Sequence, residues 1–399
     1  MAEAVLREIR GLTREHTNPH VEAWKAEGRP VVGYFCPYMP PELIIAVGGL
    51  PLRLRGAGSS DSSRGDALMS GRICTYVRHV VSLALDGRYD FLDGAICLNT
   101  CDHVRRAADV FAKKTSIGFQ GFLSVPRNPR ESLYGYYRRE LSRLYEAMAE
   151  HLGARVDDDA LRRAIREMNG LRRRLHRLDR LRIEDRPRIS GTDALAVHIA
   201  AQVLPPIEAR RLLDRLLEAL DDHPGLDSPR GRLMLLGAEL DEPGFIEAIE
   251  SQGALVVADR LCFGARSVLD TIAEDTDDPL DAIGRAYFFR SSCARMIGDF
   301  DIRYAEAQAL ARRARTDGMI FERLVFCDPW GGDQHNLLHR ARAEGGLPVL
   351  ILSREYGIVP TGQLKTRVQA FLEQIAIARA QRRAAGLAEE QAERAGDGR

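Results

Sequence analysis

Pro30-Val31-Val32-Gly33-Tyr34-Phe35-Cys36, then Pro40-Pro41-Glu42-Leu43-Ile44-Ile45-Ala46-Val47-Gly48-Gly49, then Leu50-Pro51-Leu52-Arg53-Leu54-Arg55-Gly56 is the stretch that decides how this chain is built. The first run is short, apolar and unbroken, the pattern of a strand buried on both faces. Proline and glutamate at the start of the second run suit the first turn of a helix. There a missing N–H costs nothing, and a negative charge meets the positive end of the dipole. Paired glycines stop that helix, and the third run reads as the next strand. Strand, helix, strand at this spacing predicts a parallel pair joined by a helical crossover.

The alternation continues on both sides of a different middle. A helix is expected over 71–85, with strands over 92–99 and 116–125. From 129 to about 202 the chain is rich in Arg, Glu, Leu and Ala at helical spacing. After the Pro/Gly/Asp-rich stretch 221–229, strands are expected at 232–238, 254–259, 323–327 and 348–353. Helices are expected at 243–252, 337–344 and 362–384. This order predicts an α/β chain of two Rossmann/flavodoxin-like parallel-sheet domains facing each other across a cleft, plus connecting helices. The boundaries read as an N-terminal helix at 1–28, a first α/β domain at 29–128 and a helical connecting region at 129–228. A second α/β domain follows at 229–376, and a frayed helical tail at 377–399.

Composition narrows the function. The chain has 399 residues, is 45% hydrophobic and carries a formal net charge of zero, so bulk electrostatics suggests neither a nucleic-acid nor an anionic-membrane partner. Its first residues lack a basic region followed by an apolar run, and no stretch reaches the roughly 20 apolar residues of a membrane helix. Seven cysteines, an odd number without small-scaffold spacing, fit a reducing cytoplasm.

Three of those cysteines sit where a strand or loop hands over to a helix: Cys74 in Arg72-Ile73-Cys74-Thr75-Tyr76-Val77-Arg78, Cys101 in Asn99-Thr100-Cys101-Asp102-His103, and Cys327 in Val325-Phe326-Cys327-Asp328-Pro329-Trp330. Free N–H groups and the dipole favour a thiolate at such a position. Three converging thiolates can hold a metal or an iron–sulfur cluster and leave one coordination position open. The other reading of each is an ordinary buried thiol. Ligands of open α/β sheets gather beyond the carboxyl ends of strands, where Cys101 and Cys327 are expected. Cys97 lies inside an apolar strand and reads as core. Cys36 reads as lining the same cleft, Cys293 as an extra ligand, and Cys262 as a supporting or structural residue.

Gly331-Gly332 reads as a glycine pair before a helix, open to an anion or serving only as a tight turn. His103 and His335 do not stand at a recognised zinc spacing from the cysteines. Gly56-Ala57-Gly58-Ser59-Ser60-Asp61 lacks the third glycine of a dinucleotide fingerprint.

At these residues the chain resembles the 2-hydroxyacyl-CoA dehydratase and benzoyl-CoA reductase family. The likeness runs from about residue 20 to 375 through Pro40 to Pro51, Arg72 to Arg78, Leu92 to Arg106, Gly237-Ala238-Glu239-Leu240, Val256-Val257-Ala258-Asp259, Phe326-Cys327-Asp328 and Gln363 to Glu373. The resemblance implies a [4Fe–4S] cluster held by Cys74, Cys101 and Cys327 in the cleft between two α/β domains. It also implies an acyl-CoA substrate, a related second subunit in a heterodimer or homodimer, and an ATP-hydrolysing iron–sulfur activator protein. One electron placed on the thioester makes a ketyl radical, from which a 2-hydroxyl can leave. A benzoyl-CoA reductase subunit, a non-catalytic electron-relay subunit and a double-cubane reductase are the alternatives within that likeness. Arg260 follows Asp259 where many members carry a second acidic residue. Glu42 and His103 are polar groups expected near the cleft, without an assigned role.

Overall fold

The computed structural model describes residues 1–59, 61–290, 292–344, 346–357 and 362–396, with side chains up to residue 381. Ser60 of the glycine-rich stretch, Ser291 beside Cys293 and residues 397–399 of the tail lie outside the described residues.

Two helices, α1 (Ala2–Leu12) and α2 (Pro19–Ala26), occupy the stretch read as one. The break is local chemistry. Asn18 is extended, and its side chain accepts hydrogen bonds from the N–H groups of His20 and Val21, starting α2 afresh with Pro19 in its first turn.

The first sheet follows: β1 (Val31–Tyr34), α3 (Pro41–Ala46), β2 (Leu50–Arg53), α4 (Ser63–Asp66), α5 (Thr75–Leu85), β3 (Gly94–Leu98), α6 (Asp102–Lys114) and β4 (Phe119–Leu123). All pairings are parallel, in the order β2-β1-β3-β4. Four helices come next: α7 (Glu131–His151), α8 (Asp158–Ile183), α9 (Gly191–Val203) and α10 (Pro206–Asp221). Leucines of α8 and α10 bury a second, smaller apolar core together with α1 and α9.

The second sheet repeats the order of the first: β5 (Gly231–Gly237), β6 (Ala254–Arg260), β7 (Gly318–Leu324) and β8 (Val349–Arg354), parallel, as β6-β5-β7-β8. Its helices are α11 (Pro243–Glu250), α12 (Pro279–Phe288), α13 (Phe300–Arg313), α14 (Asp328–Ala343) and α15 (Gly362–Gly396). The sequence had suggested neither α12 nor α13, although Asp278-Pro279 is a helix-start signature: the Asp278 side chain accepts from Asp281 N–H.

Each sheet has one point where the chain's winding reverses, between β1 and β3 and between β5 and β7, and such points are where α/β folds hold ligands. The carboxyl ends of the two sheets meet. Arg53, at the end of β2, donates to Cys262 beyond β6 at 3.0 Å; Tyr356 N–H, beyond β8, donates to Thr75 Oγ1 at 2.7 Å. Among the described residues no helix is long and apolar enough to cross a membrane.

Candidate functional site

Cys74, Cys101 and Cys327 are the N-cap residues of α5, α6 and α14. Cys101 follows β3 and Cys327 follows β7, each beside its sheet's reversal point, while Cys36 follows β1 and Glu239 follows β5. Two details differ from the expectation. The strand read at 323–327 is β7, which ends at Leu324; Phe326 then takes a left-handed backbone (φ 68°) that turns the chain into α14. Gly331 and Gly332 lie within α14 rather than ahead of it, and Asp333 of its second turn is locked in a two-pronged ion pair with Arg303, at 2.6 and 2.7 Å.

The three thiols lie within range of one another's charge. Cys74 is pushed well above the ordinary thiol value, first by burial and then by Cys101 and Glu239. Cys327 moves the same way through burial, Glu239, Cys74 and Cys101. Burial raises Cys101 to about 12. Cys101 and Cys327 expose part of their surface, yet the protein around each sulfur is dense enough for burial to dominate. The third N–H of each helix, from Val77, Val104 and Trp330, offsets part of that effect without making a full capping bond. The easy ionisation expected at a helix start is therefore overturned: desolvation outweighs the helix terminus when no cation is bound.

A second group of thiols adjoins the first. Cys262 accepts from Arg53 Nη2, and its surroundings include Cys36, Glu239 and Arg266. Cys36 acts on Cys101, Cys262 and Tyr38, and Cys293 acts on Tyr38 and Arg266. Cys97, in the middle of β3, is buried in the apolar core. Cys262, read from the sequence as a supporting or structural residue, thus belongs to the same neighbourhood as Cys36 and Cys293.

Buried cations surround these sulfurs. Arg53 lies 4.4 Å from the Phe263 ring and Arg266 4.9 Å from the Trp330 ring. Arg295 donates to the carbonyl of Val125 at 2.7 Å, and Arg290 to the carbonyls of Pro37 and Arg266. Several polar atoms here are buried without a partner: Arg53 Nε, Arg266 Nη2, Arg295 Nε, Tyr38 OH and Thr100 Oγ1. Orphaned buried donors are rare and call for an explanation. An anionic group among the cysteines would supply one.

Among the described residues no group of three His, Cys, Asp or Glu side chains is gathered tightly enough for a single metal ion. Three thiols within range of one another's charge and the orphaned guanidinium N–H groups are a donor set that fits an iron–sulfur cluster. His335 is exposed on α14. His103 has its pKa lowered by burial, and its Nδ1 accepts the Cys74 N–H at 3.2 Å, pinning one helix start to the next. Glu42 is buried in an ion pair with Arg172 and accepts from Tyr287 OH at 3.1 Å, and it acts on Tyr34 together with Cys36 and Cys262.

Glu239, whose charge reaches all three N-cap thiols as well as Cys262 and Arg266, carried no assigned role in the sequence reading. Arg53 and Arg266 had none either. Charged residues in the apolar run Leu50-Pro51-Leu52-Arg53-Leu54-Arg55 were the available signal, because buried arginines need partners.

Comparison with known proteins agrees with this architecture. Residues 36–375 match the family model described as 2-hydroxyglutaryl-CoA dehydratase, D-component. One of the benzoyl-CoA reductase subunits of Thauera aromatica is 28% identical over 315 residues, covering 77% of this chain and 81% of the relative. The putative dehydratase subunit YjiM of Escherichia coli K12 is 24% identical over 363 residues, 88% and 93% of the two chains. The beta subunit of (R)-2-hydroxyglutaryl-CoA dehydratase from Acidaminococcus fermentans is 23% identical over 362 residues, 88% and 94% of the two. With the match running from just beyond β1 through the second sheet and taking in all three helix-capping cysteines, the chain belongs to the 2-hydroxyglutaryl-CoA dehydratase D-component family.

Proposed function

We propose that the protein is one subunit of an iron–sulfur acyl-CoA dehydratase that removes water from a 2-hydroxyacyl-CoA after ATP-driven one-electron activation. Cys74, Cys101 and Cys327 are its cluster ligands, and the partners are a related second subunit and an ATP-hydrolysing activator. The observation that carries this reading is the matched set of thiols, each at the N-cap of its own helix and each within range of the others' charge.

When bound, a [4Fe–4S] cluster held by three cysteines supplies an open coordination position and a single electron for an acyl thioester. The chain's own residues prepare the place. Val77, Val104 and Trp330 turn backbone N–H groups towards the sulfurs, and Arg53 and Arg266 bring buried positive charge. Neutral His103 holds the start of α5 through the Cys74 N–H. The dense protein around the sulfurs, which leaves only part of Cys101 and Cys327 exposed, limits the water there.

The test is iron and acid-labile sulfide per chain after strictly anaerobic purification, followed by electron paramagnetic resonance with 2-hydroxyacyl-CoA or benzoyl-CoA added. About four of each, with a spectrum that responds to the hydroxyacyl thioester, supports the reading. A response to benzoyl-CoA alone moves it to the aromatic reductases. No iron, with Cys74, Cys101 and Cys327 all freely alkylated, ends it.

One observation favours a second reading. Cys36, Cys262 and Cys293 adjoin the first three thiols, which makes six cysteines for two linked cubanes. About eight iron per chain would select that double-cubane reading over the single cluster.

A further inference from the structure

Residues of α8, β6 and α13, with Arg266 and its neighbours just beyond β6, line an open cavity of about 800 Å³. Ligand pockets run from roughly 300 to 1,000 Å³, so this one has room for a nucleotide. Its walls carry more positive than negative charge. Arg182 is neutralised by Asp259 at 2.8 Å and Asp179 at 3.1 Å, Arg173 pairs with Glu274 at 3.1 Å, and Arg260 pairs with Glu306. Arg180 and Arg313 also line the cavity, and neither has a carboxylate partner among the described residues. Arg266 donates to the Arg260 carbonyl at 3.2 Å, while its Nη2 is buried without a partner. Against these three stands one further lining carboxylate, Asp270, which is fully exposed. The crowding of like charge is felt within the wall: burial, and then Arg266, hold Arg260 below the ordinary arginine value.

We infer that this cavity is a binding site for a phosphorylated ligand of nucleotide size, its phosphates held by Arg180 and Arg313 at the mouth and drawn towards Arg266 at the inner wall. Arginine forks match phosphate oxygens two at a time, and a cavity lined by two guanidinium groups without carboxylate partners, with Arg266 beside them, selects for negative charge. Arg266 also stands among the cysteines, so the inference shares that one residue with the cluster reading, while Arg180 and Arg313 belong to the cavity alone. Two sources of ligand share the chemistry: the phosphorylated adenosine end of a thioester carrier, and a free adenine nucleotide.

The test is calorimetric titration of the anaerobically purified full chain with adenosine 3′-phosphate 5′-diphosphate, with ADP, and with inorganic pyrophosphate, at low and high salt. Binding that weakens with salt, and falls at least about tenfold in R180E/R313E with an unchanged melting temperature, is the expected result. The neutral pair R180Q/R313Q should fall in between. Preference for the 3′-phosphorylated probe identifies the carrier end as the source, preference for ADP the free nucleotide, and equal binding of pyrophosphate the diphosphate itself as the recognised group. No binding by any probe at about 1 mM, or unaltered binding by both variants, overturns the inference.

Discussion

Arg55 and Asp241 form an ion pair sealed from solvent, Nε to Oδ2 at 3.0 Å, that joins the residues just beyond β2 in one sheet to those just beyond β5 in the other. Tyr356 OH donates to the same Oδ2 at 2.9 Å, and Arg55 Nη2 reaches the Thr13 carbonyl at 2.9 Å. One carboxylate thus ties both sheets and the N-terminal helices together. Removing one member of a buried pair leaves the other charged and unsolvated. Asp241→Ala is expected to cost about 3–5 kcal/mol, with Asp241→Asn costing less. Urea denaturation of both variants decides it, and a loss under about 1 kcal/mol for the alanine would show that the pair does not hold the halves.

Glu322 predicts a pH dependence. Burial raises its carboxyl to about 7 from an ordinary 4.5, although Arg354 Nε donates to it at 2.7 Å. A folded value above the unfolded one means that folding favours the protonated form. The contribution is complete below about pH 4.5 and is lost as pH rises through about 7. Wild type should lose up to about 3 kcal/mol more than Glu322→Gln between about pH 5 and 8. Parallel stability curves for the two proteins would refute the assignment.

Phe326 holds a left-handed backbone with a bulky side chain, a conformation that costs roughly 1–3 kcal/mol outside glycine. The residue is 41% exposed, so little burial is lost on truncation. Phe326→Gly should therefore raise stability by about 1 kcal/mol, and the β-branched Phe326→Val should lower it. Thermal melts of the two variants test the sign.

The cysteines separate into classes by iron content. Serine at position 74, 101 or 327 should remove most of the iron bound after anaerobic purification, whereas Cys97→Ser should keep it at a stability cost of about 1–3 kcal/mol from the buried hydroxyl. Equal iron in Cys101→Ser and wild type would exclude Cys101 as a ligand.

Much of the fold was legible because its signals are local. The β1-α3-β2 unit shows its buried strand, its proline-led helix and Gly48, whose positive φ ends the helix. The three N-cap cysteines stand out because polar residues cluster where strands give way to helices. The strand β7 was misplaced for a physical reason: Gly318-Met319-Ile320-Phe321-Glu322-Arg323-Leu324 carries two charges, which reads poorly as a buried strand. Arg354 of the neighbouring β8 is what makes Glu322 tolerable there.

The sequence by itself determined the two α/β halves and which cysteines would start helices, since hydrophobic periodicity and capping are set within a few residues. Only the tertiary structure decided that Cys262 joins Cys36 and Cys293, that Glu239, Arg53 and Arg266 stand among the sulfurs, and that burial rather than the helix termini governs the thiols. Those relationships join residues far apart in the chain, 209 positions in the case of Arg53 and Cys262, and depend on how desolvated charges find partners once two sheets meet.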